Sequence, residues 1–371
     1  MRIAIDARAI VGARAGKGEY SYQIIKHLAK IDSKNQYFLY SREKFPCRFG
    51  ANFKPRRVGL PGILWHFFVW LDLKWILKPD VYLALVSYII PALGIKNSVV
   101  FVPDLVAFLF PRKHNPKAVF LERCFLKRAL SQSQRVIAIS DATKRDLQRL
   151  FSLPSSKIDV VYLAANQCRQ KSPSFLAEVK QKYNLPSEFI LFAGTLEPRK
   201  NLVRLIEAYQ RLSFKEEYGL VIAGKEGWYY KEIFQRVRQL NLEQYVRFLG
   251  YIERRDLIAL YHLATVFVYP SLYEGFGLPP LEAMACGIPV ITSNISSLPE
   301  VAGQAALLVN PKDVAEIAGM LERILTDQEL RVRLARLGRE RAKKFSWEKT
   351  AREILKILER VTISIGGQAR A

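Results

Sequence analysis

The sequence predicts two successive doubly wound α/β domains with parallel sheets. Twelve short apolar runs recur along the 371 residues, separated by polar stretches of helical character. The runs are continuously apolar rather than alternating, as strands covered on both faces require. Glycine-rich turns follow several runs directly, on the rim where open parallel sheets bind ligands.

In the first half the strand candidates are residues 2–6, 37–40, 81–85, 98–102, 135–140 and 158–163. In the second they are 189–195, 219–224, 246–250, 266–271, 289–293 and 306–309. Polar helical stretches such as 201–212 and 229–241 lie between them. A run rich in Gln, Lys and Ser over 166–187 reads as the linker. This places an N-terminal domain at 1–168 and a second domain at 169–345, with a C-terminal segment at 346–371. The last segment reads as a helix from Trp347 to about Val361, with a loose tail over 363–371.

Composition narrows the function classes. Half of the residues are hydrophobic, enough for a core in each domain. The four cysteines (Cys47, Cys124, Cys168, Cys286) form no C-x-x-C pair. That argues against a zinc site or a disulfide framework and for a reducing compartment. The first residues already read as a strand rather than a signal peptide. No run of about 18 uncharged apolar residues predicts a spanning helix. The nearest approach is 62–77, which holds Trp65, Phe67, Phe68, Trp70 and Trp75 but is broken by Asp72 and Lys74. It reads as a core helix or as an interfacial patch, because tryptophans beside basic residues favour the headgroup layer.

The net charge of +23 is uneven. Residues 1–168 carry 27 Lys and Arg against 11 Asp and Glu, and residues 169–371 carry 30 against 23. The basic half calls for anionic partners. No helix-turn-helix, RNP or zinc-finger signature supports specific nucleic-acid binding. An anionic membrane surface or a lipid-linked phosphate acceptor fits better, since Arg56, Arg57, Lys74 and Lys78 flank the aromatic run.

The chemistry concentrates in four segments. Glu274-Gly-Phe-Gly-Leu-Pro-Pro-Leu-Glu282 follows a strand run and sets two carboxylates eight residues apart. Pro279 and Pro280 suit the first turn of a helix and Gly287 its end. The loop before that helix presents backbone N–H groups to anions and polar ligands. Gly194-Thr-Leu-Glu-Pro-Arg-Lys-Asn201 follows another strand and offers Arg199 as a forked phosphate grip and Lys200 as a compact charge. Gly287-Ile-Pro-Val-Ile-Thr-Ser293 follows the helix of the first segment, and Ser297-Leu-Pro-Glu300 with Val309-Asn-Pro311 behind it completes the set. Alone, the E-x7-E spacing is equally a turn with two solvated glutamates, and an Arg-Lys pair is equally surface.

In this order and spacing the four segments closely resemble the retaining glycosyltransferases of family 4, which have the GT-B fold. That resemblance implies two Rossmann-like domains facing a central cleft, with the C-terminal helix crossing back to the first domain. It implies a nucleoside-diphosphate sugar as donor, a saccharide or lipid-linked saccharide as acceptor, and no cofactor. It assigns the donor diphosphate to Lys200 and Arg199, Thr195 standing where some relatives carry the arginine. Glu274 is then assigned to the donor sugar, the backbone of Gly275, Phe276, Gly277 and Leu278 to sugar hydroxyls or phosphate, and Glu282 to the ribose diol. Gly194 and Thr195 border the donor, and Tyr251 and Ile252 lie near the base. Gly16 and Gly18 match the family's first glycine loop, although a plain turn explains two glycines equally well. The chain has no D-x-D motif, so the resemblance implies metal-free chemistry. Its Gly-Thr-Leu-Glu-Pro-Arg-Lys-Asn form is similar to mannosyltransferase-like members of surface-polysaccharide pathways, which favours GDP-mannose. A cytoplasmic enzyme, peripheral on the inner face of the cell membrane, is the expected setting.

One position departs from the pattern. Where the family commonly has His-Asp, this chain reads Pro103-Asp104. Asp104 is retained near the acceptor and sugar, but proline has no side-chain donor or acceptor. A non-catalytic protein that keeps the donor site is the alternative reading.

Overall fold

The computed structural model describes residues 1–11, 16–45, 48–166, 168 and 170–368. The chain forms two compact units, one of Met1–Leu109, Pro116–Leu163 and Ser346–Ala371, the other of Phe110–Asn115 and Ala164–Phe345.

The first unit is built on seven parallel strands: β1 (Arg2–Asp6), β2 (Gln36–Ser41), β3 (Phe53–Arg57), β4 (Val81–Ala84), β5 (Ser98–Val102), β6 (Arg135–Ala138) and β7 (Ile158–Val160). Their order is β3-β2-β1-β4-β5-β6-β7. The second unit has β8 (Glu188–Ala193), β9 (Tyr218–Ala223), β10 (Val246–Gly250), β11 (Val266–Tyr269), β12 (Val290–Ser293) and β13 (Leu307–Val309). These run β10-β9-β8-β11-β12-β13, also all parallel. Each sheet therefore reverses winding at one place, between β1 and β4 and between β8 and β11. Ligands of doubly wound sheets bind beyond the strand ends at that switch point.

All twelve expected strands form, half of them shorter at the C-terminal end than the apolar run. Residues after the last ladder bond turn toward the rim while staying buried, as Ser140, Leu163 and Ser271 do. One strand escaped the sequence pattern. β3 is an edge strand with the sequence Phe-Lys-Pro-Arg-Arg, and only Phe53 is buried. Proline and charge are what an edge tolerates, so its pairing with β2 leaves no apolar signature.

Two expectations are corrected. Cys168 and Cys286 form a disulfide with a Cα–Cα separation of 5.1 Å. The scatter of cysteines in sequence was no guide, because the fold brings together residues 118 positions apart. Cys124 is free and exposed, and Cys47 lies outside the described residues. The loose tail expected over 363–371 is helical as far as Gln368, since the C-terminal helix spans Trp347–Gln368. Ala351, Ile354, Ile357, Leu358 and Val361 are buried on that helix, which packs on the Lys17–Ile31 helix within the first unit.

The 62–77 run is a helix, Gly62–Leu71, continued by a π-helical turn, Asp72–Leu77. Its Trp65, Val69, Leu73 and Leu77 join a core cluster with Phe38, Tyr40, Tyr82 and Ile90. Its other face is exposed.

Candidate active site

The loops after β8 and β11 meet at the switch point of the second sheet. After β8 the chain crosses the loop after β9 so closely that a Cβ on Gly224 would lie 1.8 Å from the Gly194 carbonyl oxygen. A short turn, Pro198–Lys200, then presents Arg199 and Lys200. Asn201 follows with φ 63°, a left-handed position that asparagine tolerates. Its side-chain amide donates to the carbonyls of Pro270 (3.0 Å) and Pro311 (2.6 Å). That bond ties the β8 loop to β11 and accounts for the Val309-Asn-Pro311 segment.

The loop after β11 is fixed by serines. Ser296 Oγ accepts from the Glu274 amide (2.8 Å) and donates to the Glu274 carbonyl (2.6 Å). Ser297 Oγ is within hydrogen-bond reach of the carbonyls of Glu274 and Phe276. Gly277 has φ 112°, and a Cβ there would press to 2.8 Å on Leu298 Cδ2. The helix Leu278–Cys286 then begins with two prolines in its first turn and ends at Gly287 with φ 76°, as the sequence predicts. No side chain caps its N-terminus.

These loops bring Arg199, Lys200 and Glu274 together. Lys200 Nζ lies 2.6 Å from Glu274 Oε1 and donates to the Tyr269 hydroxyl at 2.5 Å. Arg199 Nη1 lies 2.9 Å from Glu274 Oε2 and donates to the Tyr273 carbonyl, while Nη2 pairs with Glu197 at 2.5 Å. Ser271 Oγ is 2.7 Å from Glu274 Oε1. Lys200, Glu274 and Glu197 are all buried. Two cations are thus set against two carboxylates in a site shielded from water, where each interaction is stronger than at a surface.

The cluster shifts its own titrations. Burial pushes the Glu274 carboxyl up, but Arg199 and Lys200 outweigh it and hold the group at about 2. Burial, then Arg199, pulls Lys200 down from the ordinary lysine value, with Glu274 opposing. Burial, then Glu274, drives the Tyr269 phenol well above its usual value, so it stays protonated.

Sequence reasoning missed Glu197, Tyr269, Ser271 and Ser296, which complete the cluster and its loop. Glu197 stood in the quoted motif without a role, and Tyr269 reads in sequence as one more strand aromatic. The other expected donor residues surround the cluster less tightly. Thr195 is half-buried on the β8 loop, and Gly275 and Phe276 are buried on the β11 loop. Glu282 pairs with Arg254 at 2.9 Å, so the two glutamates of the motif hold different partners. Just after β10, Tyr251 exposes its ring while Ile252 is buried.

The first unit has its own switch-point feature, a cavity of about 490 Å³ lined in part by Arg8, Lys17, Arg42, His66, Ser87 and Glu122. Arg8 pairs with Asp6 at 2.7 Å, donates to His66 Nε2 at 3.0 Å and lies 3.8 Å over the Trp65 ring. His66 Nδ1 faces the Gly62 carbonyl at 3.0 Å, so Nδ1 carries the proton and Nε2 accepts. Burial and then Arg8 lower the His66 pKa to about 4, keeping it neutral near pH 7. Gly16, with φ 48°, starts the helix whose Lys17 lines this cavity and whose Gly18 is buried. Asp104 accepts from the Val106 amide at 3.1 Å, a turn role in this same unit.

Residues 177–341 match the family described as glycosyl transferases group 1. The O-antigen chain mannosyltransferase RfbU of Salmonella typhimurium is 31% identical over 257 residues, 68% of each chain. The chain belongs to the group 1 glycosyl transferases. Another relative, the O-antigen chain mannosyltransferase B of Escherichia coli, is 39% identical over 249 residues. That match takes in 66% of this chain and 65% of the relative, so the chain spans just under two thirds of that protein's length. Among solved structures, HepE of Anabaena in complex with UDP-glucose superposes with a TM-score of 0.76 at 19% identity. It covers 97% of this chain and 100% of its own. The fold of this group 1 member is GT-B, with two Rossmann-like units.

Proposed function

We propose that this chain is a retaining, metal-independent glycosyltransferase of family 4 that moves a hexose from a nucleoside-diphosphate sugar to a hydroxyl of a saccharide or lipid-linked saccharide. The sugar is mannose and the donor GDP-mannose, in surface-polysaccharide synthesis at the inner face of the cell membrane. The observation that carries this reading is the Arg199–Lys200–Glu274 cluster at the β8/β11 switch point, with Lys200 and Glu274 buried. A diphosphate leaving group needs fixed positive charge, and the buried Lys200 with the half-buried Arg199 supplies it without a metal. Lys200 donates to Tyr269 and Glu274, and its third N–H meets no protein acceptor among the described residues. That third N–H is the one offered to phosphate.

Glu274 does two jobs in this reading. It holds Lys200 and Arg199 in place, and it presents an ionised oxygen to the sugar hydroxyls. Glu282 takes the ribose diol, and the exposed Tyr251 ring stacks on the base. Reaction on one face of the sugar lets the acceptor proton pass to the departing phosphate, so no protein nucleophile is needed. The mannosyl assignment rests on the two O-antigen mannosyltransferase relatives, and the nucleotide-sugar assignment also on the UDP-glucose complex of HepE.

The test is a thermal-shift panel of GDP-, UDP-, ADP- and dTDP-sugars with and without EDTA. Ligand at about 100 times its dissociation constant adds roughly 2.7 kcal/mol. One EDTA-insensitive hit, abolished in Lys200→Ala, is expected; absence of any shift sinks the reading. The anomeric configuration of the product then checks retention, an inverted product excluding it. Pro103 carries the second reading, a donor-binding protein without turnover. A large gain of turnover in Pro103→His would support it.

A further inference from the structure

We infer that the outward face of the Gly62–Leu77 segment is a docking surface for an anionic lipid bilayer. The inference goes beyond glycosyl transfer and does not depend on it.

The segment is amphipathic in an inverted sense. Trp65, His66, Val69, Leu73 and Leu77 point inward and are buried. Ile63, Leu64, Phe67, Phe68, Trp75 and Ile76 are exposed, from 47% at the two phenylalanines to 72% at Ile76. Positions 63, 64, 67, 68 and 75 follow the helical repeat and form one stripe, with the half-buried Leu71 between them. An exposed stripe of large apolar side chains of this length marks an interaction site rather than ordinary surface. Leu93, 41% exposed, widens it, since Trp70 Nε1 donates to the Leu93 carbonyl at 3.0 Å.

Charge selects the occupant. Lys54, Arg57, Lys74, Lys78 and Lys96 are exposed around the stripe. The only acids from residue 53 to 96 are Asp72 and Asp80. Asp72 is taken by Arg56 at 2.6 Å, and Asp80 accepts from the Arg2 amide at 2.6 Å. A second copy meeting this face across a two-fold axis would set lysine against lysine. An anionic headgroup layer complements it instead. Lys74 Nζ sits 4.8 Å from the Trp70 ring and 5.3 Å from the Trp75 ring. Ammonium beside indole is the pairing that suits the boundary between headgroups and acyl chains. At about 1.5 Å per residue the 62–77 segment spans about 24 Å, short of the roughly 30 Å hydrocarbon core, and no helix among the described residues is long and apolar enough to cross it. The segment therefore lies in the plane of the interface. Its buried side carries His66 to the cavity of the first unit, so one helix faces both lipid and cavity.

The test is co-sedimentation of the full chain with sucrose-loaded vesicles, phosphatidylglycerol with phosphatidylethanolamine in one arm and phosphatidylcholine alone in the other. Binding to the anionic vesicles should exceed binding to the neutral ones at least tenfold and weaken with salt. The triple variant F67S/F68S/W75S should lose at least tenfold. Lys74→Glu and Lys78→Glu should each lose roughly fivefold. Brominated lipids should quench the tryptophan emission of the unaltered protein, a readout that needs no variant. Failure to sediment with anionic vesicles, equal binding to both lipid types, or unchanged binding of the triple variant overturns the inference. So does a dimer in vesicle-free solution that the triple variant abolishes, since a second copy then covers the face.

Discussion

Glu274 is the residue on which the site balances, because it alone pairs with both Arg199 and Lys200. In Glu274→Gln the side chain keeps its shape and loses its charge. The buried Lys200 and the half-buried Arg199 then face only Glu197, and removing one partner of a buried ion pair costs about 3–5 kcal/mol. The variant should melt well below the parent and lose the donor-induced shift; an unchanged melt would remove the cluster from the account of stability. Acid should act the same way. Glu274 is held at about 2, below the ordinary carboxyl value, so its contribution is complete above about 4.5 and disappears as pH falls toward 2. His66 also has a lowered pKa, about 4, and follows the same sign. The unfolded chain binds its proton first, so stability is complete above about 6.5 and declines as pH drops toward 4. Allowing for solvent screening, the decline is on the order of 1–2 kcal/mol. His66→Gln should flatten the pH 4–6.5 slope of the melting temperature, and an identical slope would refute the assignment. Lys200 and Glu274 were legible because each stands in a glycine- and proline-marked loop. Tyr269 was not, because a strand aromatic that packs and one that donates a hydrogen bond look alike in sequence.

At the scale of elements, the central strands were legible because burial on both faces forces continuous apolar runs. The helix Leu278–Cys286 was legible from Pro279, Pro280 and Gly287. β3 and the disulfide were not. An edge strand needs no apolar face, and a covalent link across 118 residues leaves no local trace. The link joins the segment after β7 to the end of the helix that bears Glu282, within the second unit. Closing so long a loop removes much unfolded-state entropy, and native disulfides commonly contribute about 2–4 kcal/mol. Cys286→Ser, or reduction with a thiol, should therefore lower the melting temperature of the oxidised protein by roughly 5–15 °C. If reduced and oxidised protein melt together, the bond adds nothing to stability. Gly277→Ala tests the same helix at its other end. Its left-handed φ and the Leu298 contact both resist a Cβ, so a loss of about 1–3 kcal/mol is expected.

For the whole molecule, the telling feature is that the chain's last segment belongs to its first unit. The Trp347–Gln368 helix lies on the Lys17–Ile31 helix, and its Thr350 hydroxyl donates to the Tyr162 carbonyl at 2.7 Å, just after β7. The expectation of a helix returning to the first domain came from resemblance. The reason for it is visible only in the packing, since Ile354, Ile357, Leu358 and Val361 are buried there. Full burial of each such side chain contributes about 1.5–3 kcal/mol, and together they rival the whole stability of an ordinary domain. Truncation after Phe345 should therefore uncover the apolar face of the Lys17–Ile31 helix, where Ile24, Ile25 and Leu28 are buried. The second unit keeps its complete sheet in that truncation, because all of β8 to β13 lies before residue 346. Calorimetry should then show the first unit melting early or already unfolded, while the second retains a transition that a nucleotide sugar still raises. A single unshifted transition would mean that the last helix is dispensable to the first unit. Loss of both transitions would mean that the second unit cannot stand without the first.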